Sequence, residues 1–133
     1  MKYALVLILT LLPACGKSNS EDPKDLAEKI ELTRLKLRAT ASALELYHLH
    51  TGHYPTTQEG GLKALMTQPA GCEKWRGPYL MEDPRDGWNR DMVYRPAAPG
   101  ASGETTGPPF TLSSNGPDGK EDTPDDMAFR DNL

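Results

Sequence analysis

Between Asp22 and Gly52 the chain spaces its apolar residues three and four apart without interruption, a rhythm that belongs to one long amphipathic helix and to no strand. Asp22-Pro23 supplies the start, with aspartate as N-cap and proline at the first helical position. Gly52 supplies the stop, so the helix is expected over residues 23–51. Its main stripe is Leu26, Ile30, Thr33, Leu37, Ala41, Leu44 and His48. A second row of Leu32, Leu35, Ala39, Ala43 and Leu46 widens that face. Two readings of the second row stand side by side: packing against the domain's own sheet, which is the simpler, or a seam between copies of the chain.

After Gly52-His53-Tyr54-Pro55 breaks the helix, Thr57 is placed to cap a shorter one running to about Met66, with Leu62, Leu65 and Met66 inward. Residues 68–86 read as irregular, and Trp75, Tyr79 and Leu80 read as anchors for that loop rather than as ligand platforms. Asp86-Gly87-Trp88-Asn89 has turn chemistry. Strand signals occur at residues 91–95 and 109–114, joined by a wide Pro/Gly/Ala/Ser/Thr connection. The class is therefore α+β: one long N-terminal helix packed on a small antiparallel sheet, followed by an acidic tail. A length of 133 residues suits one domain. Hydrophobic residues make up 37%, but many sit in the first fourteen positions, and twelve prolines with twelve glycines imply long loops. So thin a core calls for a staple, either a disulfide or a metal.

The N-terminus reads as a targeting segment. Met1-Lys2 is a short positive start, residues 3–12 are an apolar run too short to span a ~30 Å bilayer as a helix, and Leu12-Pro13-Ala14-Cys15 closes it with a small residue before cysteine. That ending resembles the lipobox of bacterial lipoproteins, although Pro13 is unusual there. The resemblance implies a signal peptide over residues 1–14, acylation of Cys15, a lipidated cysteine and tether over residues 15–22, and a globular domain over residues 23–133. Such a chain is held on the cell-envelope membrane by its lipid alone. Gly16, rather than aspartate, after the anchor favours the outer membrane in a Gram-negative host. With Cys15 acylated, Cys72 is expected as a buried free thiol. The competing possibility is a secreted chain with a Cys15–Cys72 disulfide.

Residues 115–126 hold five carboxylates against one lysine. Such a cluster repels itself unless a cation compensates it, and Ca2+, which takes six to eight oxygen ligands in flexible geometry, suits a loop rich in Gly and Pro. Asp118, Asp125 and Asp126 can supply the charge. The absence of His and Cys from the segment disfavours zinc and copper, magnesium prefers a more rigid octahedron, and the spacing is not that of an EF-hand. A solvated acidic tail is the alternative.

Several stretches together are similar to type II secretion system protein G, the major pseudopilin. They are residues 41–47, the run Thr51-Gly52-His53-Tyr54-Pro55-Thr56-Thr57-Gln58-Glu59-Gly60, then Gly77-Pro78-Tyr79-Leu80, Asp83-Pro84 with Asp86-Gly87-Trp88-Asn89, and Gly116-Pro117-Asp118-Gly119 through Asp125-Asp126. They occur in the family's order over roughly residues 27–131. The resemblance implies a pilin-like fold with a calcium-ordered C-terminal loop. It also implies a ligand set in which Asp118, Asp125 and Asp126 give carboxylates, Asn115 and Thr123 are candidate carbonyl donors, and Asp122 is an extra ligand. The departure lies at the N-terminus, where the family's strongly apolar helix is replaced by a lipobox. Together the likeness and the departure imply a non-enzymatic structural or accessory module of a secretion-like system, with other pseudopilins or apparatus proteins as partners. A stand-alone envelope lipoprotein with the same fold is the alternative function.

Other chemistries find little support. His48 and His50 lie about 200° apart on a helix and do not converge, and His50 with His53 would make an incomplete metal site, so half-buried surface histidines are expected. No Gly-x-Ser-x-Gly motif or phosphate-binding glycine loop occurs, which argues against a catalytic site, a calcium-dependent hydrolase included, and against a small-molecule substrate. A net charge of −4 without a basic patch disfavours nucleic acid; Lys29, Arg34, Lys36 and Arg38 alternate with Glu28 and Glu31 as a solvated helix face.

Overall fold

The long helix begins and ends where its local chemistry says it should. In a computed structural model describing residues 21–96 and 109–129, α1 runs Pro23–Thr51. The Asp22 carboxylate accepts the Lys24 N–H at 2.9 Å, satisfying one of the amides a helix start leaves without a partner. Gly52 takes the left-handed conformation (φ 86°) and its N–H donates to the His48 carbonyl, a position that favours a residue without Cβ. The leader over residues 1–14, the acylation residue Cys15, the tether as far as residue 20, and the connection over residues 97–108 lie outside the described residues.

Three strands make one antiparallel sheet of order β1-β2-β3: β1 (Val93–Pro96), β2 (Phe110–Ser114) and β3 (Met127–Ala128). Register pairs Val93 with Ser113 and Tyr94 with Leu112 on one side of β2, and Ser113 with Ala128 and Ser114 with Met127 on the other. Period-two alternation turns Phe110, Leu112 and Ser114 of the central strand inward. There they meet Leu37, Ala41, Leu44 and Tyr47 of α1, with Ala64, Leu65 and Met92 closing the core.

Four expectations need correction. The second leucine row does not widen the buried face: only Ala43 of that row is buried, whereas Leu32, Leu35 and Leu46 are exposed, because the sheet is narrow and covers only one side of the helix. The second helix is a short 3₁₀ turn, Gly61–Leu65, with Gly60 at its N-cap position and no side-chain cap. Thr57 caps nothing there. Instead Thr56 and Glu59 bond reciprocally one turn earlier: Glu59 Oε2 accepts the Thr56 N–H at 2.8 Å and Thr56 Oγ1 accepts the Glu59 N–H at 3.2 Å, a capping-box pattern that closes a tight turn. The acidic tail is not the end of ordered structure, since it returns the chain to β3. Cys72 carries a free thiol that is half-buried rather than buried. As expected, Trp75 and Tyr79 pin the irregular stretch: Trp75 Nε1 donates to the Ala64 carbonyl at 2.8 Å, and the Leu65 carbonyl accepts the Tyr79 N–H at 2.7 Å.

Candidate functional site

A buried polar lock holds the acidic loop in place, and it is built from residues far apart in sequence. Asp86 is 1% exposed and sits at its centre. The local turn aims its Oδ1 at the N–H groups of Trp88 and Arg90, both at 2.9 Å. Its other oxygen accepts the Ser114 hydroxyl at 2.7 Å, and Ser114 Oγ in turn accepts the Gly116 N–H at 3.2 Å. The turn is also tied to α1: the Gly87 N–H donates to Thr33 Oγ1 at 2.8 Å, and that hydroxyl donates to the Lys29 carbonyl at 2.7 Å. Buried carboxylates are tolerated when their lone pairs are filled, and here three donors fill them. A polar Thr33 between Ile30 and Leu37 of the inward stripe was the one sequence signal of this contact.

Arg90 extends the lock to the loop. Its guanidinium donates to the Gly116 carbonyl at 2.6 Å and the Pro117 carbonyl at 3.2 Å, bringing one positive charge beneath a negative segment. Gly116 (φ 59°) packs so closely on the far end of the loop that a Cβ there would lie 2.2 Å from the Asp125 carbonyl. Glycine is therefore required at that crossing.

The loop gathers its oxygens around Thr123. Thr123 Oγ1 lies 2.7 Å from Asp125 Oδ1, 3.2 Å from Asp126 Oδ1, 3.3 Å from Asp118 Oδ1 and 3.1 Å from the Lys120 carbonyl. One hydroxyl proton serves one of these four acceptors at a time, so the carboxylates of Asp118, Asp125 and Asp126 face one point with little to neutralise them. The Asp118 N–H, donated to Asp125 Oδ2, holds the Asp125 carboxyl below the usual carboxylate range, helped by Thr123 and Arg90. Asp125 accordingly stays ionised. The other expected ligands are placed differently. Asp122 (φ 62°) gives its N–H to Asp126 Oδ2 at 2.9 Å. The carbonyls of Asn115 and Thr123 accept the N–H groups of Gly119 and Asp126, both at 3.1 Å, and each keeps a second lone pair.

The three histidines go to separate partners. His48 stacks on Tyr54 with ring centroids 4.5 Å apart, His50 Nδ1 lies 2.9 Å from the Tyr79 hydroxyl, and His53 Nε2 lies 2.9 Å from Glu59 Oε1. Glu59 also accepts the Tyr47 hydroxyl at 3.1 Å, and Tyr47 in turn lies 3.9 Å from Cys72 Sγ. Burial pushes the Glu59 carboxyl up, but its bonds to His53 and to the N–H and hydroxyl of Thr56 outweigh that and hold it down at about 2. Burial, with Cys72 and Glu59 nearby, keeps the Tyr47 hydroxyl protonated well above the usual phenol range. Among the described residues no helix is long and apolar enough to cross a membrane.

The chain as a whole is similar to known proteins. The type II secretion system core protein G of Pseudomonas aeruginosa is 36% identical over 128 residues, which span 93% of this chain and 84% of that protein. Its counterpart in Vibrio cholerae is 34% identical over 127 residues, spanning 93% and 83%. A share of 93% reaches past residues 27–131 and into the N-terminal segment. The crystal structure of the major pseudopilin from the type 2 secretion system of enterohaemorrhagic Escherichia coli superposes with a TM-score of 0.61 at 29% identity, covering 79% of this chain and 88% of that one. The α+β fold, a long helix on a small antiparallel sheet, is thus pilin-like. The profile of type II secretion system protein G matches residues 23–130, and the chain belongs to that family.

Proposed function

We propose that the chain is a non-enzymatic, lipid-anchored component of a type II secretion-like apparatus in the bacterial cell envelope, with one Ca2+ ordering its C-terminal loop. The family match over residues 23–130 carries the secretion role. It favours a structural part of the apparatus over a stand-alone envelope lipoprotein, and other secretion components are the partners it implies. The anchor rests on Leu12-Pro13-Ala14-Cys15: two or three acyl chains at Cys15 would hold the domain on a membrane, and Gly16 favours the outer membrane in a Gram-negative host. In a strain lacking the chain, secretion of a reporter exoprotein should fail. It should return with the intact gene and stay impaired with Cys15→Ser, which should also lose incorporation of a clickable fatty acid. Undiminished secretion without the chain would refute the role.

Calcium is supported by the chemistry of the loop. The carboxylates of Asp118, Asp125 and Asp126 converge on one hydroxyl, and all are hard oxygen donors of the kind Ca2+ prefers. Among the described residues no three acidic, His or Cys side chains form a ready-made cage, so the carboxylates would close slightly as Thr123 rotates away. Asn115, Thr123 and Asp122 are further donors, and Ca2+ would add to the positive charge that Arg90 brings from below and Arg95 brings to Glu121. With free Ca2+ at about ten times its dissociation constant, linkage adds about 1.4 kcal/mol, or roughly 5–10 °C in melting temperature for a domain of this size. Calcium should raise the melting temperature relative to chelator, and Asp118→Ala should abolish the rise. An identical temperature in both conditions would sink the calcium assignment.

A further inference from the structure

Among the described residues two arginines from outside the acidic loop reach it, and they do so differently. Arg95 meets an exposed carboxylate, that of Glu121, at 2.9 Å. Arg90 enters none of the ion pairs and directs its guanidinium at two successive carbonyls, Gly116 at 2.6 Å and Pro117 at 3.2 Å. Those carbonyls lie between Asn115 and Asp118, two of the residues assigned to the ion. Gly116 also crosses Asp125 so closely that a Cβ would lie 2.2 Å from the Asp125 carbonyl, so whatever holds Gly116 holds a third. Gly119 packs against the same guanidinium, where an added Cβ would lie 2.7 Å from Arg90 Cζ. A positive charge beside a Ca2+ site repels the ion, so charge alone does not explain an arginine at this place.

We propose that Arg90 is the positioning residue of the ion loop. Its guanidinium fixes the crossing at Gly116 and Pro117 on the frame of the Asp86 turn, so that Ca2+ meets a loop already held near its binding shape and its arrival is felt at the start of α1. The inference rests on the calcium reading and adds to it the residue that sets affinity and the route by which occupancy is transmitted. That route is continuous. The N–H groups of Arg90 and Trp88 share Asp86 Oδ1, each at 2.9 Å, and the Asp86 N–H donates back to the Arg90 carbonyl at 2.9 Å. Trp88 Nε1 then donates to Glu21 Oε2 at 3.0 Å, just ahead of the Asp22 cap of α1. Any movement of the loop that displaces the guanidinium therefore displaces the turn that carries the Trp88 ring. The planar fork matters, because a guanidinium bridges two adjacent carbonyls whereas an ammonium acts as a point charge. Without the fork the loop samples other shapes, and the apparent dissociation constant rises as the competent fraction falls.

Charge and positioning predict opposite signs, and calorimetric titration of the full chain in detergent with calcium chloride separates them. Removing a neighbouring cation tightens Ca2+ binding if only charge matters. We expect instead that Arg90→Met weakens it about tenfold, the effect of leaving about a tenth of the loops competent. Arg90→Lys keeps the charge without the fork and should weaken it about threefold; if Arg90→Met fails to fold, the lysine variant carries both readouts. Arg95→Met is the charge control: it has no frame contact to lose, and should leave the affinity unchanged or tighten it. In chains labelled with 5-fluorotryptophan, the Trp88 fluorine resonance should move on saturation with Ca2+. The Trp75 resonance, assigned by Trp75→Phe, should stay, since Trp75 Nε1 is tied to the Ala64 carbonyl away from this route. In the Arg90 variants the heat of binding should persist at higher Ca2+ while the Trp88 movement shrinks, a separation that general loosening of the fold would not give. Affinity that holds or tightens in the Arg90 variants, or a Trp88 movement that survives them, would overturn the role of Arg90 and leave the calcium reading standing. Absence of binding heat in the unaltered chain would remove both.

Discussion

Ser114→Ala probes the lock between helix, turn and acidic loop with almost no change in shape. Ser114 is 0% exposed, donates to Asp86 Oδ2 at 2.7 Å and accepts the Gly116 N–H at 3.2 Å. A hydrogen bond to a carboxylate contributes about 1.5–3 kcal/mol, and a buried amide left without an acceptor costs about 1–3 kcal/mol. The two overlap, because the neighbours relax toward each other, so we expect a loss of about 3 kcal/mol. That is a large share of the 5–15 kcal/mol typical of a domain, and it lowers the melting temperature by roughly 10–20 °C. Urea unfolding followed by the fluorescence of Trp75 and Trp88 reads the change as a lower midpoint at constant slope. Ser113→Ala, on the other face of β2, should change stability by less than about 0.5 kcal/mol. If the bond to Asp86 is the cause, Ser114→Ala and Asp86→Ala together should cost less than their sum by about 1.5–3 kcal/mol. A loss under about 1 kcal/mol, or strict additivity, would refute the lock.

Two further outcomes test other parts of the fold. The Glu59 carboxyl is held at about 2 in the folded chain against an ordinary 4.5, so its contribution is complete above pH 4.5 and is lost as pH falls toward 2. Its side chain is 20% exposed, and after solvent screening about 1–2 kcal/mol remains. Glu59→Gln should therefore flatten the acid limb of the stability profile in that window; acid limbs that superpose for the two proteins would count against the assignment. Gly87 packs so closely on α1 that a Cβ would lie 2.3 Å from the Lys29 carbonyl. Gly87→Ala must push the turn off the helix, and should destabilise by about 2 kcal/mol or more. A neutral result by thermal melting would show that the turn can shift freely.

What local chemistry governs was legible from residue order alone. Both ends of α1 follow from Asp22, Pro23 and Gly52, because capping acts within one turn of the chain, and the inward half of the helix follows from a spacing that only α geometry aligns. The strands around Val93 and Phe110 show in the same way, through β-rich runs bounded by breakers. The oxygen-rich loop was visible too, as charge density that solvent alone compensates poorly. Thr57 misled because the reciprocal bonds of Thr56 and Glu59 closed the turn one residue earlier. β3 went unseen because two residues hold no periodicity, and its strand conformation is imposed by pairing with Ser113 and Ser114.

The tertiary structure decided everything that joins distant segments. Which of the two leucine rows is covered depends on the width of a three-stranded sheet, and no helical pattern encodes that width. Asp86 reads locally as an ordinary turn aspartate. It becomes the buried centre of the molecule only because Ser114, 28 residues onward, is brought against it while Thr33 approaches from the helix. Three aspartates likewise meet at Thr123 only because Arg90 and Gly116 fold the loop back on itself. Periodicity and caps report a chain's own short-range energetics, whereas the burial of a charge is set by which partners the whole fold can deliver to it.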